Sequence, residues 1–247
     1  MAEVASIWRH PIKSHGREQI ASVALTKGQT LPGDRIWAVP LDTSAADGQE
    51  WVPCAHFSRG AKTPALQAIQ ITTLSDGNLT VTHPDLPSLT FDPSREGEVF
   101  VDWTRALVDP DRAAQPDRLV LATERGMTDS PYPSISLMNL ASHRAVEGAA
   151  GQALSPLRWR GNILLDGPEA WAEFDWIGHE FTLGTARIVI RDRIRRCNAT
   201  RGNPETGAVD VDTLAILKDN WAHIDFGVYA EVIASGEVRT GDRLEHA

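Results

Sequence analysis

Short runs of alternating apolar and polar residues dominate the chain, and Gly, Pro, Asp or Asn bounds most of them. Such runs are typical of β-strands with one buried face. They predict strands at residues 5–10, 20–25, 35–41, 68–74, 79–83, 118–122, 162–165, 180–183, 187–191 and 228–233. The turn Ser75-Asp76-Gly77-Asn78 predicts a hairpin, because Asp-Gly accepts the positive φ of a tight turn.

Helical periodicity is confined to three segments, residues 99–108, 136–150 and 212–220. Gly151 is a stop signal for the second helix, and Asp212 is a capping residue for the third. Many short strands and few helices predict a mainly β (α+β) fold built from barrels rather than a doubly wound sheet. The turn-rich stretch 92–97 predicts a boundary between an N-terminal domain, 1–97, and a C-terminal domain, 98–247.

The composition, with 42% hydrophobic and 23% charged residues, is that of a globular protein, and the net charge is −9. This acidity disfavours nucleic-acid or anionic-membrane partners, which need clustered Lys and Arg. No signal peptide or 18-residue apolar run is recognisable, so we expect a cytoplasmic protein without a membrane partner. With two cysteines, Cys54 and Cys197, a reducing compartment is expected, and a bridge between them stays a minor alternative.

The most unusual local sequence is 191–197, which puts four arginines within six positions before Cys197. Fixed positive charges near a thiol would lower its pKa and favour the thiolate, which ligates soft metals or attacks electrophiles. The same arginines could bind phosphate oxygens. An inert cysteine beside a solvated basic edge fits the composition equally well. Spacings for a zinc hydrolase, a G-x-S-x-G nucleophile, a P-loop or a Rossmann fingerprint are missing, and nothing nearby orients a histidine for a thiol hydrolase.

Motifs spread over nearly the whole chain resemble the family of the molybdenum cofactor sulfurase C-terminal (MOSC) domain. They occur in the family's order at residues 8–14 (WRHPIKS), 33–37 (GDRIW), 160–163 (RGNI), 196–200 (RCNAT), 203–207 (NPETG), 226–232 (FGVYAEV) and 241–242 (GD). Each motif alone is weak, and their joint order is specific. The pattern is most similar to the mitochondrial amidoxime-reducing component and its bacterial counterparts.

The resemblance implies an N-terminal β-barrel domain packed on a MOSC β-barrel, with a molybdenum–molybdopterin cofactor (Moco). Cys197 then corresponds to the catalytic metal ligand, and the activity is the reduction of N-hydroxylated or N-oxide substrates. The cofactor-binding residues that it implies are Lys13, Ser14, Arg35, Asn139, Ser142, Arg160, Asn162, Arg196, Thr200 and Tyr229, of which Asn139 and Ser142 align only loosely. A classification with pyridoxal phosphate-binding-like proteins is also compatible with the resemblance.

These assignments are chemically consistent, because a pterin phosphate needs Lys and Arg donors and molybdenum prefers sulfur ligands. Three residues depart from the family pattern: Gly161 replaces a proline, Ala199 a threonine, and Arg201 an apolar residue. We expect Gly161 to loosen its loop and Arg201 to add charge near the substrate. Cys54 matches no family ligand and is interpreted as structural.

The sequence contains no ferredoxin-like cluster of cysteines, so an iron–sulfur centre on this chain is not expected. Electrons are therefore expected from a separate flavoprotein, ferredoxin or cytochrome b5-like donor. Two other functions stay open. In the first, the protein is a carrier, in which Cys197 holds a persulfide or hands over the cofactor. In the second, the barrel is a binding module without a cofactor.

Overall fold

The computed structural model describes residues 2–247, which form fifteen β-strands and three α-helices. The strands are β1 Ala2–Arg9, β2 Glu18–Ile20, β3 Ser22–Leu25, β4 Trp37–Ala38, β5 Gln70–Thr73, β6 Leu79–His83, β7 Leu86–Phe91, β8 Val120–Leu121, β9 Ile135–Asn139, β10 Ile163–Asp166, β11 Glu180–Leu183, β12 Ala186–Arg195, β13 Asp225–Ala234, β14 Gly236–Arg239 and β15 Arg243–His246. The helices are α1 Gly97–Arg105, α2 Leu140–Ala150 and α3 Thr213–Trp221.

Seven of the strands close into a barrel in the order β10-β9-β13-β12-β11-β15-β1, and pairing of β1 with β10 completes the ring. Neighbours are antiparallel except β9 and β10, which run parallel. Inward residues such as Val4, Leu137, Ile188 and Val228 fill the barrel and are fully or almost fully buried. The first strand of the chain is therefore part of a barrel made mostly by its second half.

The N-terminal half after β3 builds a smaller β unit beside this barrel, whereas β2 pairs with β1 and β3 pairs with β14. Strands β5, β6 and β7 form a three-stranded meander, and α1 packs on β7 through the stacked rings of Phe91 and Phe100, 5.0 Å apart. Strand β8 pairs with β4. The mainly β fold with few helices is confirmed, whereas the domain division at residue 97 stays a prediction.

Several predicted elements match the structure closely. The hairpin joins β5 to β6 with Gly77 at φ 89°, and α3 is capped by the Asp212 side chain, which accepts from the Ala215 amide. Two predictions need correction. Residues 136–139 of the second predicted helix belong instead to strand β9, Ile135–Asn139, because all five side chains of this strand are buried in the barrel wall. The predicted strand 35–41 shortens to Trp37–Ala38, because Arg35 has a left-handed backbone with φ 54°.

Two further observations complete the fold. Cys54 and Cys197 are both free thiols, so the alternative of a bridge between them is not realised. From residue 2 onward, no helix has both the length and the apolar character that crossing a bilayer takes.

Candidate functional site

A cavity of about 140 Å³ lies where N-terminal loops meet the end of strand β12. It collects side chains that are distant in sequence. The sequence-predicted residues that line it are Lys13, Ser14, Arg35, Arg160, Asn162, Arg196, Cys197, Thr200 and Tyr229. The structure therefore brings together every predicted site residue except Asn139 and Ser142.

Cys197 lies two residues beyond the end of β12 and is exposed at the cavity. Its backbone is extended, and the 3-10 turn Asn198–Arg201 follows at once. The Thr200 hydroxyl donates to the Cys197 carbonyl at 3.0 Å and meets the Thr213 hydroxyl at 2.6 Å. From the N-terminal half, Gln67 Nε2 donates to the Ala199 carbonyl at 2.7 Å. These bonds fix the loop that presents the thiol.

The four arginines before Cys197 do not gather around the thiol, and this corrects the sequence expectation. Arg191 pairs with Glu231 on the outer surface, at 2.7 Å, and Arg193 lies 4.2 Å over the Phe174 ring. Only Arg195 and Arg196 line the cavity. A strand rises about 3.3 Å per residue, so Arg191 and Arg193 lie farther back along β12 than Arg195 and Arg196, which are next to Cys197 at its end.

The guanidinium of Arg196 is part of the cavity wall. It donates to the Trp159 and Phe226 carbonyls at 2.8 Å each, and burial lowers the pKa of Arg196 to about 10. It also lies 3.1 Å from the Met138 sulfur. A Cβ at Gly161 would approach Met138 Cγ to 2.2 Å. The glycine that replaces the family's proline therefore makes room for Met138, which packs behind Arg196.

Lys13 and Asp129 form an ion pair at the cavity. Lys13 Nζ lies 2.6 Å from Asp129 Oδ1 and 2.6 Å from the Met127 carbonyl oxygen. Lost hydration would raise the pKa of Asp129, but the charges of Lys13 and Arg35 outweigh it and lower that pKa to about 2. The neighbouring residue Ser14 has φ 65°, so its backbone is left-handed.

A buried network behind the cavity holds Arg35. Asp34 is fully buried; it pairs with the Arg35 guanidinium and accepts from the His10 amide at 2.7 Å. Burial, with the charge of Arg160 adding to it, lowers the pKa of His10 to about 3, so this ring is neutral. Burial would lower the pKa of Arg35, but the Asp34 carboxylate raises it. The network therefore fixes a charged Arg35, whose Nη2 donates to the Arg160 carbonyl at 3.0 Å.

Arg160 ends the 3-10 turn Pro156–Trp159 with φ 50°. Its terminal nitrogens, Nη1 and Nη2, are buried, and neither has a hydrogen-bond partner among residues 2–247. Burial and the nearby charges of Arg35 and Arg17 lower the pKa of Arg160 to about 9. Buried guanidinium groups are normally paired with carboxylates or carbonyls. This side chain is therefore a strong donor without an acceptor, which fits an anionic ligand.

Asn162 forms a polar part of the cavity wall, and Tyr229 forms an aromatic part. Asn162 Oδ1 accepts from the Ser136 hydroxyl at 2.8 Å, and its Nδ2 donates to the Trp8 carbonyl at 3.2 Å. Burial and the Asp129 carboxylate raise the pKa of Tyr229 to about 12, so its hydroxyl keeps its proton at neutral pH. Tyr132 packs edge-on against that ring with centroids 6.5 Å apart.

Asn139 and Ser142 lie elsewhere, at the start of α2, and this corrects their predicted placement. Asn139 Nδ2 donates to Glu173 Oε2 at 2.8 Å, and the Ser142 hydroxyl donates to Glu173 Oε1 at 2.8 Å. Both side chains are thus committed to a buried carboxylate. Arg201 also does not line the cavity; its guanidinium lies 3.5 Å from Asp212.

The cavity residues that were missed from the sequence include Cys54, Arg59, Asp129 and Arg158. Cys54 was interpreted as structural, yet its sulfur lies 3.4 Å from Arg59 Nη1 on the cavity wall. Neither residue belongs to a repeated or spaced motif that could have marked it. Across residues 2–247, no group of three or more His, Cys, Asp or Glu side chains is arranged to hold a metal ion.

Two family profiles match the chain almost end to end. The MOSC N-terminal beta barrel domain matches residues 1–115, and the MOSC domain matches residues 125–245. The chain belongs to the MOSC family. MOSC proteins often bind molybdenum cofactor or carry sulfur. Cys197 and Arg160 both lie within the matched MOSC domain.

Matches among solved structures include the YuaD protein of Bacillus subtilis, at 12% identity and a TM-score of 0.49. That match covers 99% of this MOSC protein and 94% of YuaD. YiiM from Geobacillus stearothermophilus is 18% identical with a TM-score of 0.36, over 46% of this chain and 53% of that one. No curated protein matched the sequence.

Proposed function

We propose that this protein binds Moco with Cys197 as the thiolate ligand of molybdenum and reduces N-hydroxylated or N-oxide compounds. The observation that carries the proposal is the buried guanidinium of Arg160, whose terminal nitrogens have no partner among residues 2–247, in the same cavity as an exposed thiol. A ligand with an anionic group at one end and a thiophilic metal at the other matches both features.

The phosphate of the cofactor is assigned to the inner part of the cavity. Arg160 offers the N–H groups of its two terminal nitrogens, and Arg35 is held charged by Asp34. The Lys13 charge is shared with Asp129, so it contributes less to an incoming dianion than the two arginines do. Arginine suits this role because its planar fork donates two parallel hydrogen bonds to a phosphate.

The metal is assigned to Cys197, whose thiol is exposed at the cavity while the following turn holds its backbone. When bound, the cofactor supplies two-electron redox chemistry at molybdenum. The net reaction converts an N–OH group, two electrons and two protons into N–H and water. Tyr229 keeps its proton at neutral pH and offers a hydrogen-bond donor to a substrate beside the thiol.

The electrons are assigned to a separate donor protein, a flavoprotein, ferredoxin or cytochrome b5-like carrier, and the substrate to a small N-oxygenated molecule. Two cysteines are too few to hold an iron–sulfur cluster on this chain. Pyridoxal phosphate is disfavoured, because Lys13, the lysine of the cavity, is held by Asp129 and the Met127 carbonyl. A Schiff base would need that nitrogen free.

Metal analysis and pterin fluorescence of protein from a Moco-producing host test this proposal. The wild type should contain molybdenum and pterin and should reduce benzamidoxime with reduced methyl viologen as donor. Cys197→Ser should lose activity and most metal. Arg160→Met should lose pterin and metal together, because its substitution removes the assigned phosphate donors. Wild-type protein that carries neither pterin nor metal would contradict the proposal.

A second candidate function is a sulfur carrier that uses a Cys197 persulfide, and the exposure of this thiol favours it. Cyanolysis separates the two candidates. Release of thiocyanate from metal-free wild-type protein, abolished in Cys197→Ser, would support the carrier. Protein with neither metal nor releasable sulfur would favour a cofactor-free binding module.

A further inference from the structure

Two arginines that solvent reaches, the exposed Arg195 and the half-buried Arg59, line the same cavity as the exposed thiol of Cys197, and we call this part of the cavity its open side. Arg195 lies two residues before Cys197 and is itself exposed, and Arg59 comes from the N-terminal half. Within the described part of the chain, neither guanidinium makes an ion pair with a carboxylate. In a protein with a net charge of −9, two arginines without a carboxylate partner in one cavity form a local positive region.

Arg59 is fixed in place although it has no acidic partner. Its Nη1 lies 3.4 Å from the Cys54 sulfur, and its carbonyl accepts from the Lys62 and Thr63 amides at 3.0 Å each. The turn therefore holds the backbone of Arg59, and the sulfur contact uses one edge of the guanidinium. The other N–H groups of the guanidinium stay available to a ligand.

The acidic residues around the cavity are already committed to other cations. Asp129 pairs with Lys13, Asp210 pairs with the buried Arg158, and Asp212 pairs with Arg201. None of these carboxylates neutralises the two arginines at the open side. The positive charge of these two arginines is therefore available to attract an anionic ligand that enters the cavity.

The charge at the open side is separate from that of the inner anion site. The terminal nitrogens of Arg160 are buried, whereas Arg195 is exposed on the β12 side, next to the thiol. A cofactor phosphate on Arg160 leaves the outer arginines without an acceptor. A second anionic group, carried by the substrate, would supply one.

We propose that Arg59 and Arg195 bind a carboxylate of the substrate, so that the preferred substrates are N-oxygenated compounds that also carry a carboxylate. This inference rests on the reductase function proposed above. Arginine matches a planar carboxylate through paired hydrogen bonds, and such charge-assisted bonds are about twice as strong as neutral ones. The arginines act by orienting the substrate with its N–O group towards the thiol side, and they take no part in the redox step.

A matched substrate pair tests the inference: benzamidoxime and 4-carboxybenzamidoxime, assayed with the Moco-loaded protein. We expect wild-type kcat/KM to be at least tenfold higher for the carboxylate, and this preference to shrink with salt because the site is open to solvent. In Arg59→Gln and in Arg195→Gln the ratio of the two kcat/KM values should fall about tenfold, the effect of losing one charge-assisted bond. Arg193→Gln is the matched control on the same strand, and its ratio should equal that of the wild type.

Calorimetric binding of benzoate and benzamide gives a second readout that needs no turnover. Wild-type protein should bind benzoate at least tenfold tighter than benzamide, and both glutamine variants should lose that difference. If both amidoximes are reduced equally well and benzoate gains nothing, the inference is wrong while the reductase proposal stands. If neither amidoxime is reduced but benzoate binding depends on Arg59 and Arg195, the reductase proposal fails and the carboxylate site stands. Benzoate binding that is lost only in Arg160→Met would overturn the inference.

Discussion

Replacing Arg160 with methionine should stabilise the protein in buffer without phosphate or sulfate. The terminal nitrogens of the guanidinium are buried without a partner in the described part of the chain, so the folded state bears the cost of desolvating a charge that the unfolded chain keeps hydrated. The fall of its pKa from 12.5 to about 9 corresponds to roughly 5 kcal/mol at 1.36 kcal/mol per unit. Methionine keeps the Cβ and replaces the aliphatic stem as far as the position of Nε, so the packing of the stem and the strain at φ 50° change little.

The expected gain in the free energy of unfolding is about 2–4 kcal/mol, because lost contacts of the side chain offset part of the electrostatic cost. Urea unfolding followed by circular dichroism measures it. The matched control is Arg158→Met, two residues away. That buried guanidinium is paired with Asp210 at 3.1 Å, so its loss should destabilise the protein by about 2–5 kcal/mol. The two substitutions thus have opposite predicted signs.

Phosphate provides the second half of the test. An anion that binds only the folded wild type adds about 2.7 kcal/mol at a concentration one hundred times its dissociation constant. Arg160→Met should gain almost nothing from phosphate. The reasoning is refuted if Arg160→Met is destabilised as Arg158→Met is, or if phosphate stabilises wild type and Arg160→Met equally.

Three further predictions concern the surroundings of the site. The pKa values of the buried His10 and His15 are lowered to about 3 and about 4; below pH 6.5 the unfolded chain therefore binds protons that the folded protein does not. Stability should fall as the pH drops from 6.5 to 4, by up to about 1.4 kcal/mol per pH unit for each histidine, and His15→Gln should flatten this slope in urea titrations. Gly161→Ala should cost about 1–3 kcal/mol, because its Cβ would lie 2.2 Å from Met138 Cγ, and much less in a Met138→Ala background. Gln67→Leu removes the hydrogen bond to the loop after Cys197, so hydrogen exchange of amides 198–202 should accelerate while the unfolding midpoint changes little; unchanged exchange would argue against this positioning role.

The sequence predicted the architecture well where local signals and tertiary packing agree. The Asp-Gly hairpin, the Asp212 cap and the alternating strand of residues 79–83 occur as expected. The strand at residues 135–139 was not predicted, because a run of five buried residues has the same sequence pattern in a barrel wall as in a buried helix. Only pairing with distant strands decides between the two, and that pairing is not visible in a local pattern.

The residues of the candidate site that belong to family motifs were predicted, and those on the loop from the N-terminal half were missed. The family motifs identified Cys197, Arg35 and Arg160 because each lies in a short run of characteristic residues. The residues at the open side, Cys54 and Arg59, belong to an irregular loop whose approach to the barrel depends on tertiary contacts. The arginine run before the cysteine illustrates the opposite error, since proximity in sequence was read as proximity in space.

The central claim, that Cys197 ligates molybdenum, is tested most directly by X-ray absorption at the molybdenum edge of loaded protein. The number of sulfur ligands at thiolate distance is the quantity to compare between wild type and Cys197→Ser, with Cys54→Ser as the matched control. The account predicts three sulfurs in wild type and in Cys54→Ser, two from the pterin dithiolene and one from the protein, and two in any metal that Cys197→Ser retains. Equal sulfur counts in wild type and Cys197→Ser would contradict it.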